Sequence, residues 1–239
     1  MSDSKADYDQ WHASLEVDEQ ADAPWHHSLR RFMPEKLDDA SLLEIGCGRG
    51  GFSAWLGENR PAARHVAADF SDVAVEKATA FFKKRGLEQI ECRIEDIERM
   101  SFSDQEFDIV VSSETIEHVP HPQRAIFECS RVLKPGGILY LTTPNYLGTM
   151  GLYRAYMRVT RRRFTEGGQP INHFMLFFRT LLWLKAAGFT VKKSGSVGHY
   201  LPFPGREPIR YESLDRFGIL TKCFGLHSFY IAQKESATT

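Results

Sequence analysis

Leu42-Leu43-Glu44-Ile45-Gly46-Cys47-Gly48-Arg49-Gly50-Gly51 passes from an apolar run to a glycine-rich turn and on into a helix. Glycine has no Cβ, so at positions 46, 48 and 50 the chain can turn sharply and lie directly against a ligand. The stretch reads as the place for a nucleotide-like cofactor. The same letters fit Gly-x-Gly-x-x-Gly at 46, 48 and 51, the dinucleotide fingerprint, and an acid follows near the expected distance at Asp69. What separates those cofactors is Glu44, two residues before the first glycine, together with the residues that close the later strands.

Downstream, residues 64–68 read as a second strand ending at Asp69. Ser71 is a good N-cap, Ala74, Val75, Ala78, Phe81 and Phe82 follow helical spacing, and Gly86 is a stop. Residues 90–94 read as a third strand ending at Glu95-Asp96, and 107–113 as a near-continuous apolar fourth, the signature of a strand buried on both faces. Pro122 opens a helix that places Ala125, Ile126, Cys129, Val132 and Leu133 on one face; Pro135-Gly136-Gly137 ends it before a fifth strand at 138–142. Strands alternating with helices predict an α/β, doubly wound parallel sheet. Ligands of such sheets bind beyond the carboxyl ends of the strands, where Glu44, Asp69, Asp96 and Glu114 converge on one rim.

Upstream, residues 1–38 carry Tyr8, Trp11, Trp25, His26, His27 and Phe32 among acids. They predict a helical N-terminal cap over one edge of the domain, its aromatics serving either as core or as a cover over a substrate. The remaining chain, 39–239, reads as one domain with insertions at 146–172 and 198–225, and 239 residues suffice for a full core. With 42% hydrophobic and 26% charged residues the composition is that of an ordinary globular protein, and a net charge of -1 gives no global pull toward nucleic acid or anionic membrane. Charge is uneven, however, with an acidic start and Arg154, Arg158, Arg161, Arg162 and Arg163 crowded together.

Cys47, Cys92, Cys129 and Cys223 show no Cys-x-x-Cys pairing, which points to free thiols. The opening residues lack the basic-then-apolar pattern of a signal peptide, and the apolar tract 174–189 is interrupted by Arg179 and Lys185 and too short to span a bilayer. A cytoplasmic location is the expectation.

Five ordered pieces, LLEIGCGRGG, VAADFS, RIEDIERMSF, FDIVVSSETIEHV and RVLKPGGILYLTTPN, resemble the class I S-adenosylmethionine-dependent methyltransferases over residues 41–145. The resemblance implies a Rossmann-like sheet of seven strands, the last antiparallel, with the extra strands at 189–196 and 227–233. It implies S-adenosylmethionine bound by Glu44, Gly46, Cys47, Gly48, Asp69, Phe70, Glu95, Asp96, Ile97 and Ser113. Within that set Glu44 is oriented to the methionine amino group, Asp69 to the ribose hydroxyls, Asp96 to the adenine amino group and Ile97 to the ring.

Methyl transfer from a sulfonium needs alignment and exclusion of water; a hydroxyl acceptor also needs a base or a metal to loosen its proton. Glu114-Thr115-Ile116-Glu117-His118 offers both, with His173 beyond the fifth strand as a further partner. The arrangement resembles the ubiquinone-biosynthesis O-methyltransferases and the 2′-O-methyltransferases of small-RNA 3′ ends, which implies a divalent ion (Mg, Mn or Zn) held by Glu114, Glu117, His118 and His173. The alternative is a metal-free base at His118 or His173, with Glu117 as the third catalytic candidate.

On a helix Met150, Tyr153 and Met157 share one face while Arg154, Arg158 and Arg161 share another. Such a basic amphipathic segment, 150–163, suits peripheral contact with an anionic membrane, an RNA phosphate patch, a lid over a small polar substrate, or a solvated lid with no partner. The expected protein is an enzyme that methylates a hydroxyl of a small molecule, phenolic, sugar-like or lipid-linked. RNA 3′-end 2′-O-methylation and non-catalytic S-adenosylmethionine binding are the competing readings, and the sequence leaves the oligomeric state open.

Overall fold

The computed structural model describes residues 2–161, 168–201, 209–210 and 223–236. A seven-stranded sheet runs in the order β3-β2-β1-β4-β5-β9-β6, built from β1 (Leu37–Ile45), β2 (Ala62–Asp69), β3 (Ile90–Ile94), β4 (Phe107–Ser113), β5 (Leu133–Pro144), β6 (Phe189–Val197) and β9 (His227–Lys234). Only β9 runs against its neighbours, pairing antiparallel with both β5 and β6. Strand order reverses between β1 and β4, which opens a crevice at their carboxyl ends. A separate two-stranded ribbon joins β7 (Tyr200–Leu201) to β8 (Ile209–Arg210).

Alternation along β1 shows how the sequence positions the site. Leu43 and Ile45 enter one core, under α5 (Pro122–Val132) and α7 (Phe177–Ala186). Leu42 enters the opposite core with Phe52 and Leu56 of α3 (Gly51–Asn59). Glu44 shares the face of Leu42, because side chains two apart on a strand point the same way, and so is buried against α3. Leu42 and Leu43 are fully buried, each contributing about 1.5–3 kcal/mol.

Ser71 caps α4 (Asp72–Lys84) by accepting from the Ala74 amide at 3.2 Å, and Gly86 beyond it has φ +69°, as its spacing predicts. The fifth strand corrects the sequence expectation. Pro135-Gly136-Gly137 does not precede it: β5 already begins at Leu133, directly after α5. Phe107 faces Leu133 while Ile109 faces Ile138, so the four residues between bulge out of the ladder, with Gly136 at φ +79° taking the bend.

Two helices form the N-terminal cap. α1 (Ser2–Ala13) packs on α4, and Lys77 Nζ donates to the carbonyls of His12, Ala13 and Leu15 at 2.9, 3.0 and 2.8 Å, closing the helix end with a cation. α2 (Pro24–Arg30) packs on β9 and β5. α6 (Thr149–Val159), in the first insertion, exposes Leu152, Tyr153, Tyr156 and Val159, while Arg154 lies over the rings of Tyr146 and Phe174. Arg162 and Arg163, and most of the second insertion (202–208 and 211–222), lie outside the described residues. All four cysteines are free, and among the described residues no helix is long and apolar enough to cross a membrane.

Candidate active site

A cavity of about 350 Å³ opens at the carboxyl ends of β1, β2 and β4, within the size range of small-molecule sites. Its floor is the glycine turn. Gly46 at φ +79° packs so tightly on Thr115 that a Cβ would fall 2.3 Å from that side chain, and its amide and that of Cys47 donate to the Ala68 carbonyl at 2.8 and 2.9 Å. Gly48 at φ +53° is open: an added Cβ would meet only His12 at 3.7 Å.

Asp69 ties the turn to β2. Its Oδ2 accepts the Gly48 amide at 2.8 Å and its Oδ1 the Ser71 amide at 3.0 Å. Each oxygen retains lone-pair capacity for a ligand hydroxyl. Glu44, 2% exposed, accepts from the Ser53 hydroxyl, which in turn contacts His65 Nε2 at 3.2 Å. Burial pushes the Glu44 carboxyl up to about 8 and the His65 imidazole down to about 4.

Beyond β3, Glu95 is taken up by the Ser101 amide at 2.8 Å and the Ser101 hydroxyl, while Asp96 Oδ1 accepts the Glu98 amide at 2.9 Å. Ile97 is buried beside them, and Ser113 Oγ meets Thr142 Oγ1 at 3.1 Å. All ten residues expected at the cofactor, from Glu44 to Ser113, line the cavity. The turn thus stands beside a buried acid beneath it and carboxylate acceptors at the ends of β2 and β3.

On the facing wall the expected catalytic residues separate. His118 lines the cavity; Glu117 is fully buried behind it, with Oε1 at 3.4 Å from His118 Nε2. His118 Nδ1 lies 2.7 Å from the Ile171 carbonyl, which assigns its proton to Nδ1 and leaves Nε2 as the lone-pair nitrogen of the neutral ring. Burial lowers the pKa of His118. His173 is not on the cavity wall; its backbone amide donates to the Glu117 carbonyl at 2.8 Å, so it serves to fasten residues 171–173 over His118. Glu114, at φ +50°, accepts from His227 Nδ1 at 2.7 Å.

These placements do not fit the expected metal centre. Glu114 Oε2 is turned to His227, the carbonyl of Ile171 occupies Nδ1 of His118, and His173 is held to Glu117 through its backbone amide. Among the described residues no group of three or more His, Cys, Asp or Glu side chains is arranged to hold an ion. Glu114, Glu117 and His118 are close in sequence, yet Glu114 pairs with His227 while Glu117 lies buried behind His118 on the single turn Ile116–His118.

Of the cap residues, Tyr8, Trp11, Trp25 and His26, for which the sequence leaves both a core and a covering role open, are walls of the cavity; His12, beside Trp11 on α1, was missed, and the Tyr8 hydroxyl donates to the His118 carbonyl at 3.0 Å. His227 carried one usable signal: it begins the strand that pairs with the end of β5, where Pro144 faces it.

Residues 43–141 match the family described as methyltransferase domain. The ubiquinone biosynthesis O-methyltransferase of Coxiella burnetii (strain RSA 493 / Nine Mile phase I) is 36% identical over 109 residues, 46% of this chain and 45% of that protein. A malonyl-[acyl-carrier protein] O-methyltransferase of Paenibacillus sp. (strain JDR-2) is 29% identical over 160 residues, 65% of this chain and 57% of that protein. The matched stretch spans about half the length of these curated relatives. Among solved structures, a chain from the Haloferax volcanii complex between the Trm112 methyltransferase activator and a methyltransferase superposes with a TM-score of 0.70 at 19% identity, covering 99% of both chains.

Proposed function

We propose that the protein, whose residues 43–141 match the methyltransferase domain family, is a class I enzyme that moves a methyl group from S-adenosylmethionine to a hydroxyl of a small molecule. The observation that carries this reading is His118 on the cavity wall with Glu117 buried behind it. The names of the relatives, O-methyltransferases, support the oxygen acceptor.

In this reading the cofactor's amino acid end lies against Gly46, Gly48 and Glu44, its ribose on Asp69, and its adenine between Asp96 and Ile97. When bound, S-adenosylmethionine supplies a methyl group already activated by its sulfonium. The chain supplies position, dryness and a base. Nδ1 of His118 stays protonated on the Ile171 carbonyl, so Nε2, beside Glu117, is the ring nitrogen with proton-accepting capacity, and a shift of the ring toward the acceptor would bring it into reach. The imidazolium so formed is held by Glu117 at 3.4 Å. Trp11 and Trp25 from the cap exclude water from the cavity.

The test is formation of S-adenosylhomocysteine over a panel of phenols and sugar alcohols. We expect turnover with at least one, and a loss of roughly 100-fold or more in kcat for His118→Asn with cofactor affinity retained. Tight cofactor binding with no turnover on any acceptor would overturn it in favour of a non-catalytic binding protein.

We further propose that α6 touches an anionic membrane surface, since it exposes Leu152, Tyr153, Tyr156 and Val159 with Arg158, and Arg161 is exposed just beyond its end. Arg158→Glu with Arg161→Glu should weaken binding to phosphatidylglycerol vesicles about 30-fold or more, at about 1 kcal/mol per basic residue lost. Equal binding by parent and variant would remove the membrane role.

A further inference from the structure

Two acceptor atoms on the cap side of the cavity have no hydrogen-bond partner among the described residues: Oε1 of Glu114 and Nδ1 of His26. Both residues line the cavity and both atoms are buried. A buried acceptor left unmatched costs about 1–3 kcal/mol, so two at one place call for an explanation.

Neither is an accident of loose packing. Glu114 takes a left-handed backbone at φ +50°, uncommon outside glycine, and its amide is fixed by the Thr142 carbonyl and hydroxyl, both at 3.2 Å. Its other carboxylate oxygen is tied to His227 Nδ1 at 2.7 Å, so the carboxylate cannot rotate away. His26 is clamped in a stack on Phe52, ring centroids 4.8 Å apart at 10°. Burial holds the imidazole pKa down at about 4, so near neutral pH the ring is uncharged. A hydrogen bond from the ring to the Ala21 backbone accounts for its one hydrogen, and the unpartnered Nδ1 is then the acceptor nitrogen. Trp25 completes the wall, its ring 4.4 Å from that of His227.

A rigid carboxylate, a neutral imidazole nitrogen and an indole face form a receptor for hydrogen-bond donors and for positive charge, and they repel anions. Resting on the methyl-transfer reading of this cavity, we propose that Glu114, His26 and Trp25 select the acceptor. The molecule that is methylated carries, apart from the reacting hydroxyl, a donor-bearing group, an ammonium first and a neutral hydroxyl second, and no carboxylate or phosphate at that end.

Binding alone tests this. Benzylamine, benzyl alcohol and benzoate are each titrated calorimetrically into the protein saturated with S-adenosylhomocysteine. Benzylamine should bind about tenfold or more tightly than benzoate, with benzyl alcohol between them, from one charge-assisted hydrogen bond. Glu114→Gln should erase the difference between amine and acid. His26→Phe keeps the stack on Phe52, guards against a folding failure at Glu114, and should weaken benzylamine several-fold. Benzoate binding as well as benzylamine would overturn the proposal. So would Glu114→Gln weakening S-adenosylhomocysteine by the same factor, which would hand the carboxylate to the cofactor. Lack of turnover on every hydroxyl acceptor would sink the methyl-transfer reading while leaving this preference readable.

Discussion

The two sides of the cavity are built on different plans. On the cofactor side the carboxylates of Asp69, Glu95 and Asp96 are each held by backbone amides or a serine within a few residues of a strand end, apart from the short reach from Asp69 to Gly48. On the acceptor side the ties that set the polar side chains reach far along the chain: Tyr8 to His118, Ile171 to His118, His227 to Glu114. Local ties order a binding surface before any ligand arrives, and they recur wherever the same strand ends recur. Long ties join segments that vary independently, which is how one fold can keep a cofactor and change its acceptor. Two unmatched acceptor atoms sit on the second side, Glu114 Oε1 and His26 Nδ1.

The largest expected effect breaks the first side. Asp69→Ala strands the Gly48 and Ser71 amides and removes the ribose partner. Loss of charge-assisted hydrogen bonds at about 1.5–3 kcal/mol each predicts about 100-fold weaker S-adenosylhomocysteine binding by calorimetry. Benzylamine binding should be little changed if the two sides are as separate as their ties. A proportionate loss of both would show that the glycine turn supports the whole cavity.

This division also explains what could be read from the amino acids alone. Strands one to four, Ser71 as a cap and the cofactor residues follow from periodicity and from motifs contained in single strand-turn-helix units. The bulge at Lys134–Gly137 was not legible, because proline and glycine announce a break without saying whether helix or strand resumes first. Glu114, Glu117 and His118 looked like one ligand set because they are near in sequence; their partners, His227 and Ile171, lie 113 and 53 residues away. No spacing rule reaches that far. Tyr8 and Trp25 could be read as core or as cover because an aromatic residue carries the same signal whether it meets other side chains or a cavity.

A second, smaller effect concerns Glu44, the one cofactor-side acid with no amide partner among its described hydrogen bonds. Its folded pKa of about 8 lies above the ordinary 4.5, so over that interval the native state holds a proton that the unfolded chain has released. Stability from this group is full below 4.5 and is lost as pH rises through 8. His65, lowered to about 4 from 6.5, works the opposite way below 6.5, so the clean window is 6.5 to 8. There we expect urea unfolding to show a loss of about 1–2 kcal/mol, absent in Glu44→Gln. A flat wild-type profile would mean that Glu44 is ionised beneath the turn. A cationic amino group of the cofactor facing Glu44 would favour the ionised form, so affinity should rise across the same window and binding should release a proton.

The smallest effect tests where the boundary runs. Tyr8 belongs to α1, whose ties through Lys77 and Ser71 are to the cofactor side, yet its hydroxyl donates across the cavity to the His118 carbonyl. Tyr8→Phe keeps the ring and removes one neutral hydrogen bond, about 0.5–1.5 kcal/mol, so melting should fall by about 2–4 °C. The informative readout is which ligand notices. If α1 fastens the acceptor wall, benzylamine binding weakens and S-adenosylhomocysteine binding does not, because the phenol positions the segment carrying the proposed base. If the cofactor notices instead, α1 is a cover for the nucleoside, and the acceptor wall begins only at Trp25.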